Sequence, residues 1–134
     1  MVELFEINIG KDLDIKDEIM KYVLEKGWES AYVIGAIGSV KDVRLTTPCS
    51  YDLPPKITTN EFNLPAEILS FTGEILKREK MDPLLEKAYP DKNIPLFIHI
   101  HASVAVSGGH VFGGGFQTGK TLRALRVFIK PLNS

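Results

Sequence analysis

Residues 95–116 read PLFIHIHASVAVSGGHVFGGGF, and this stretch decides the fold. It holds all three histidines and five of the eleven glycines, so the chain's metal-ligating and conformationally permissive residues are concentrated in one place. From Phe97 to Val106 the run is rich in β-branched and aromatic residues, which predicts a buried strand. Side chains alternate across a strand. His99 and His101 therefore share a face with Phe97, Ser103 and Ala105, and Ile98, Ile100, Ala102, Val104 and Val106 form the opposite, apolar face. Ser107, Gly108 and Gly109 supply a turn, because glycine accepts positive φ at little steric cost. A second strand starts near His110 and contains Gly113, Gly114 and Gly115. Glycine inside a strand marks a bulge or a close approach by a ligand or another backbone, so these three, with Gln117, are candidate ligand-binding residues.

The histidines invite a zinc reading, since imidazole is the commonest metal ligand. With the turn centred near Gly108, His101 faces residues 114–116, and His110 faces residues 105–107. At roughly 3.3 Å per residue, His110 lies on the order of 15 Å from His101. Imidazoles sharing a zinc must each approach to about 2.0–2.1 Å. A tight hairpin thus gives two metal ligands, His99 and His101. His110 joins them only from a neighbouring subunit or through an irregular turn. Gln117, Glu67 and water are the other candidate contributors. The plainer alternative is a pair of histidines hydrogen-bonded in a polar pocket.

Three stretches together resemble the plant and prokaryote conserved (PPC) domain family. The hairpin is similar to its signature of an HxH or HxS strand, a glycine turn and then GGH or GGG. Gly38, Ser39 and Val40 follow a hydrophobic strand as in that family, and residues 67–73, EILSFTG, are close to its EILSLTG. The match runs through most of the chain in the same order. The resemblance implies a compact α+β domain forming homotrimers. Plant members carry AT-hooks that bind DNA, whereas prokaryotic members are usually the domain alone and are described as DNA-binding. Some members hold a metal with both HxH histidines and the histidine of GGH. The fold is also similar to acetolactate decarboxylase, a zinc enzyme with a related His-x-His arrangement. Here the third histidine position is occupied by Gly115, where the hairpin register also leaves no ligand.

The 134 residues suit one domain, residues 1–134, and 44% hydrophobic with 25% charged residues is ordinary for a globular protein. No apolar run approaches the roughly 18 residues that span a membrane, and MVELFEINIG is expected to be a strand rather than a signal peptide. A single cysteine, Cys49, fits a reducing, cytoplasmic setting. The net charge of −1 argues against nonspecific DNA binding, which needs a basic surface to displace phosphate counterions. The most basic stretch holds Lys120, Arg123, Arg126 and Lys130, read as a solvated strand face.

Elsewhere, residues 2–9 read as a strand. Asp14 is a candidate N-cap. Ile15, Ile19 and Val23 place an amphipathic helix over residues 15–26, and Gly27 closes it. Residues 31–37 form a strand, Gly38 and Ser39 turn it, and residues 40–46 form another. Residues 47–55 are a proline-rich loop, and 56–62 a short polar strand. Residues 67–72 are a strand ended by Gly73, with Glu67, Leu69 and Phe71 on one face. A carboxylate there is either a general base near the histidines or a salt-bridge partner. Residues 77–95 are expected to be mobile, with at most one helical turn, and residues 122–129 form the last strand. Residues 114–121, GGFQTGKT, fit the P-loop pattern, but only 13 residues follow, too few for the βαβ sheet a P-loop needs.

The sequence therefore predicts an α+β domain, mostly antiparallel sheet, with one main helix packed on it. Its leading functional expectation is a homotrimeric, DNA-associated or assembly protein without catalysis. The alternative is a metal- or small-molecule-binding pocket at the hairpin. That pocket would hold zinc or another divalent transition metal, with a decarboxylase-like enzyme using Glu67 as base at the far end of that range.

Overall fold

The computed structural model describes residues 3–86, 89–90 and 93–132. In these, six strands run antiparallel: β1 (Phe5–Ile9), β2 (Ser30–Pro48), β3 (Ile57–Phe62), β4 (Ala66–Lys77), β5 (Leu96–Val106) and β6 (His110–Pro131). Among the described residues a single α-helix, α1 (Ile15–Lys26), follows β1, and short 3-10 turns occupy Arg78–Lys80, Pro83–Leu85 and Ser107–Gly109. The sheet order is β1-β6-β5-β4-β2-β3, and β6 pairs with β2 as well. Strands β2, β4, β5 and β6 therefore close into a circuit around the core. The expected α+β class, antiparallel pairing and single helix are all present.

Three strands are much longer than their sequence suggests: β2, β4 and β6, the last running unbroken from His110 to Pro131 instead of restarting at residue 122. Residues 31–37 and 40–46 are not separate strands, because β2 passes through Gly38 without turning. Register shifts at Val33/Gly35, Gly38/Val40 and Lys41/Arg44 bend it instead, as bulges do. Likewise β4 runs through Gly73 rather than stopping there. Both glycines admit a crossing backbone. A Cβ at Gly38 would stand 2.2 Å from the Ala124 carbonyl oxygen, and one at Gly73 would stand 1.9 Å from that of His99. The same composition cue, glycine in an apolar run, thus reports contact and not termination. The bending lets β6 serve β5, both halves of β2, and β1 in turn.

Helix α1 begins and ends where its caps dictate. The Asp14 carboxylate accepts from the Asp17 amide, and Gly27 adopts φ 71° so that its N–H closes on the last turn. Ile15, Ile19 and Val23 are completely buried, each contributing on the order of 1.5–3 kcal/mol by leaving water. They meet strand residues including Val127, Ile129 and Ile100 in one core, with Phe71 and Phe116 edge-to-face at 5.4 Å.

Thr121 is the one buried polar side chain among the described residues. Its hydroxyl accepts from the Leu13 amide at 2.9 Å and lies 2.5 Å from the Gly10 carbonyl, to which it donates. That ties the loop before α1 to β6. The P-loop pattern ending at Thr121 is accordingly a stretch of strand, and its hydroxyl is committed to a structural clamp. Of the segment expected to be mobile, residues 87, 88, 91 and 92 lie outside the described residues, and the rest forms the two 3-10 turns and their connections. Among the described residues, no helix is long and apolar enough to cross a membrane.

Candidate functional site around the histidine pair

The hairpin register places His101 opposite Gly115 and His110 opposite Val106, with His110 exposed beside the turn. His99 and His101 project from the same face of β5, their ring centroids 5.1 Å apart and nearly perpendicular. The Phe97 ring stacks on His99 at 5.1 Å, and Tyr89 packs edge-on to both Phe97 and His99. On the neighbouring strand, Glu74 is His99's ladder partner, its Oε1 3.6 Å from His99 Nδ1. That separation permits electrostatic attraction but is beyond a hydrogen bond.

Burial against these rings pushes the His99 pKa down, the Glu74 carboxylate opposes that shift, and the neighbouring His101 reinforces it. His99 is therefore a neutral imidazole at pH 7, the form that donates a lone pair to a metal.

Glu67 stands elsewhere. It pairs with Ala105, four positions along β5 from His101, or about 13 Å at strand rise. The ladder register alone sets that separation, and a bulge between Ile68 and Ser70 then switches faces. It puts Phe71 in the core with Ala66 and Ile68 and leaves Glu67 and Leu69 outside. The shared face of Glu67, Leu69 and Phe71 inferred from simple alternation does not exist.

Gly113, Gly114 and Gly115 form ladder positions opposite Ser103, Ala102 and His101. Gly115 also pairs with Thr46 of β2, and a Cβ on Gly114 would stand 2.6 Å from the Thr46 carbonyl oxygen. The packing of β2 on β6 is thus sufficient reason for the glycine run. Gln117 comes close to the histidine face: its Nε2 donates to Thr46 Oγ1 at 3.3 Å, and it interacts with Tyr89.

Glu74, Tyr89 and Lys16 were missed in the sequence. Glu74 would have been found had β4 been continued past Gly73, since it then falls on the ladder beside His99. Tyr89 and Lys16 reach the site from non-strand segments, which no periodicity connects to it.

As a metal centre, one chain supplies His99 and His101, with Glu74 alongside. No group of three or more His, Cys, Asp or Glu poised to hold an ion exists among the described residues. The pair does not by itself fit a closed tetrahedral zinc site, which takes four protein ligands, or a catalytic one, which takes three.

A family model described as the Plants and Prokaryotes Conserved (PCC) domain matches residues 2–133. Among solved structures, the fold is similar to a metal-containing protein from Archaeoglobus fulgidus, with a TM-score of 0.76 and 25% identity over 100% of this chain and 83% of that one. It is similar to a plant- and prokaryote-conserved (PPC) protein from Pyrococcus horikoshii, with a TM-score of 0.76 and 18% identity over 98% and 80% of the two chains. A "putative dna binding protein" from Bacteroides thetaiotaomicron gives a TM-score of 0.72 and 18% identity over 98% and 80%. No curated protein matches the sequence.

Proposed function

The chain belongs to the Plants and Prokaryotes Conserved (PCC) domain family, and from that premise we propose that it is a non-catalytic assembly protein of the DNA-associated type. Its subunits form a homotrimer by meeting on the face that carries the histidine pair. One observation carries this reading. Tyr32, Ile34 and Ile37 of β2 and Leu69 of β4 are 49%, 49%, 58% and 54% exposed. Tyr32 is the ladder partner of Glu74, which in turn partners His99. Large apolar side chains grouped on an outer sheet face call for a covering surface, and a second and third copy of the chain provide one.

DNA contact is the weaker half of the proposal. Arg126 is paired with Glu6 and Lys41 with Asp12, so part of the basic surface is already neutralised, and the net charge is −1. Replacing Ile34 and Ile37 together by Glu should release monomers of 14.9 kDa on size exclusion with light scattering. An unchanged mass would remove the β2 face from the interface. Anisotropy of a labelled DNA duplex, titrated at low and then physiological salt, tests the DNA half. Saturable, salt-sensitive binding supports it, and its absence reduces the function to assembly.

The neighbouring pair His99 and His101, with Glu74 alongside, favours a second reading, a divalent metal bound by both imidazoles. The remaining donors would come from another copy or from water. A metal held this way would supply Lewis acidity. His101→Ala should abolish zinc uptake measured by elemental analysis, and undiminished uptake would exclude these residues as the site.

A further inference from the structure

Pairing of β5 with β6 ends at His101 and Gly115. Beyond that point β6 leaves for β2, and the β5 edge from Leu96 to Ile100 keeps only β4 as a strand neighbour. Helix α1, with Arg78, Tyr89, Pro90 and Ile94, borders this edge without filling it. A cavity of about 270 Å³ remains between them. Its walls are mainly apolar, from Met20, Ile94, Leu96 and Phe97, and the polar groups converging on it include Lys16, Arg78 and Gln117.

Lys16 is the unusual member. Its Nζ stands 5.2 Å from the centre of the Tyr89 ring. None of the ion pairs among the described residues includes it. The acid that acts on its charge, Asp14 at the helix N-cap, spends an oxygen on the Asp17 amide. A partly desolvated ammonium without a carboxylate in contact is costly, and burial lowers its pKa to about 8. Arg78 donates to the Tyr89 carbonyl and so fixes the aromatic wall. Asp14 and the exposed Asp17 also border the cavity. These two acids balance the two cations, which disfavours a multiply charged guest such as a phosphate. Tyr89 and Phe97, edge-to-face at 4.8 Å, offer apolar ring surface of the kind a flat body packs against.

We propose that this cavity binds a small monocarboxylate with a planar apolar body, its carboxylate on Lys16 Nζ and its body against Tyr89 and Phe97. The cavity adjoins the histidine pair, sharing the Tyr89 and Phe97 rings with it, but uses neither imidazole and does not depend on the assembly reading.

Calorimetric titration of the full chain with phenylacetate tests it, using phenylacetamide as the neutral isostere and phenyl phosphate as the dianion. Saturable binding of phenylacetate is expected, with the amide and the phosphate each weaker by about tenfold or more, the size of one charge-assisted contact. Lys16→Met should weaken phenylacetate by a similar factor, Lys16→Arg should retain binding, and Lys21→Met, on the exposed side of the same helix, should leave it unchanged. No saturable binding, equal affinity for acid and amide, or equal affinity in a Lys16→Met variant with native circular dichroism would overturn the proposal. Should Lys16→Met fail to fold, the wild-type preference for acid over amide decides by itself.

Discussion

At the scale of single residues, the chemistry turns on two groups held away from their solution behaviour by burial. His99 is kept neutral against an aromatic wall, and Lys16 is held under Tyr89 with its pKa near 8. Folding therefore binds Lys16's proton less tightly than the unfolded chain does. Between pH 8 and about 10.5 the unfolded chain keeps a proton that the folded one releases, so stability gains as pH rises through that window. The gain attributable to Lys16 should reach roughly 2–3 kcal/mol. Urea unfolding of wild type and Lys16→Met at pH 7 and pH 9.5 isolates it. The difference between the two proteins should narrow or reverse as the wild type is relieved, whereas a constant difference would place Lys16 in water.

Legibility at this scale followed the ladder. The His101–Gly115 pairing could be read because a short glycine turn fixes hairpin register and counting outward from it does the rest. Phe71 was put on Glu67's face because a bulge at Ile68–Ser70 changes the parity of every later residue on β4, and nothing in EILSFTG announces it. Glu74 was overlooked for the related reason that Gly73 looked like an end.

At the scale of elements, helix and strand were unequally readable. Helix α1 carries its own start and stop signals, Asp14 and Gly27, and occupies the expected residues 15–26. Strands β2 and β6 have no internal stop signal, only glycines whose meaning depends on what crosses them. Gly73 makes that meaning testable. Its missing Cβ would overlap the His99 carbonyl, so Gly73→Ala should part β4 from β5 and cost about 3 kcal/mol or more. Denaturant unfolding reads the loss, and a cost below about 1 kcal/mol would show that the two backbones are not in close approach. Thr121 tests the link between the loop before α1 and β6. Thr121→Val keeps the shape but leaves the Leu13 amide and Gly10 carbonyl unpaired, at about 1–3 kcal/mol. Thr121→Ser, which retains the hydroxyl, should recover most of that stability.

At the scale of the whole molecule, a closed circuit of β2, β4, β5 and β6 leaves few strand edges to protect but turns one face of those strands outward. That face holds apolar side chains beside a pair of histidines, and the surface ion pairs around it are exposed and contribute little. The class of fold was legible because alternation, one amphipathic helix and hairpin signals all pointed the same way. The closure was not, since it depends on β6 serving several partners in succession. The cavity beside α1 was equally hidden, being made where two strands part. The proposed homotrimer would cover that outward apolar face.

The native mass of the untagged protein, by sedimentation equilibrium across a tenfold concentration range, tests that claim most directly. A homotrimer gives three times the 14.9 kDa chain mass, unchanged on dilution. A monomer at every concentration would contradict it, and would leave Tyr32, Ile34, Ile37 and Leu69 without the partner their exposure demands.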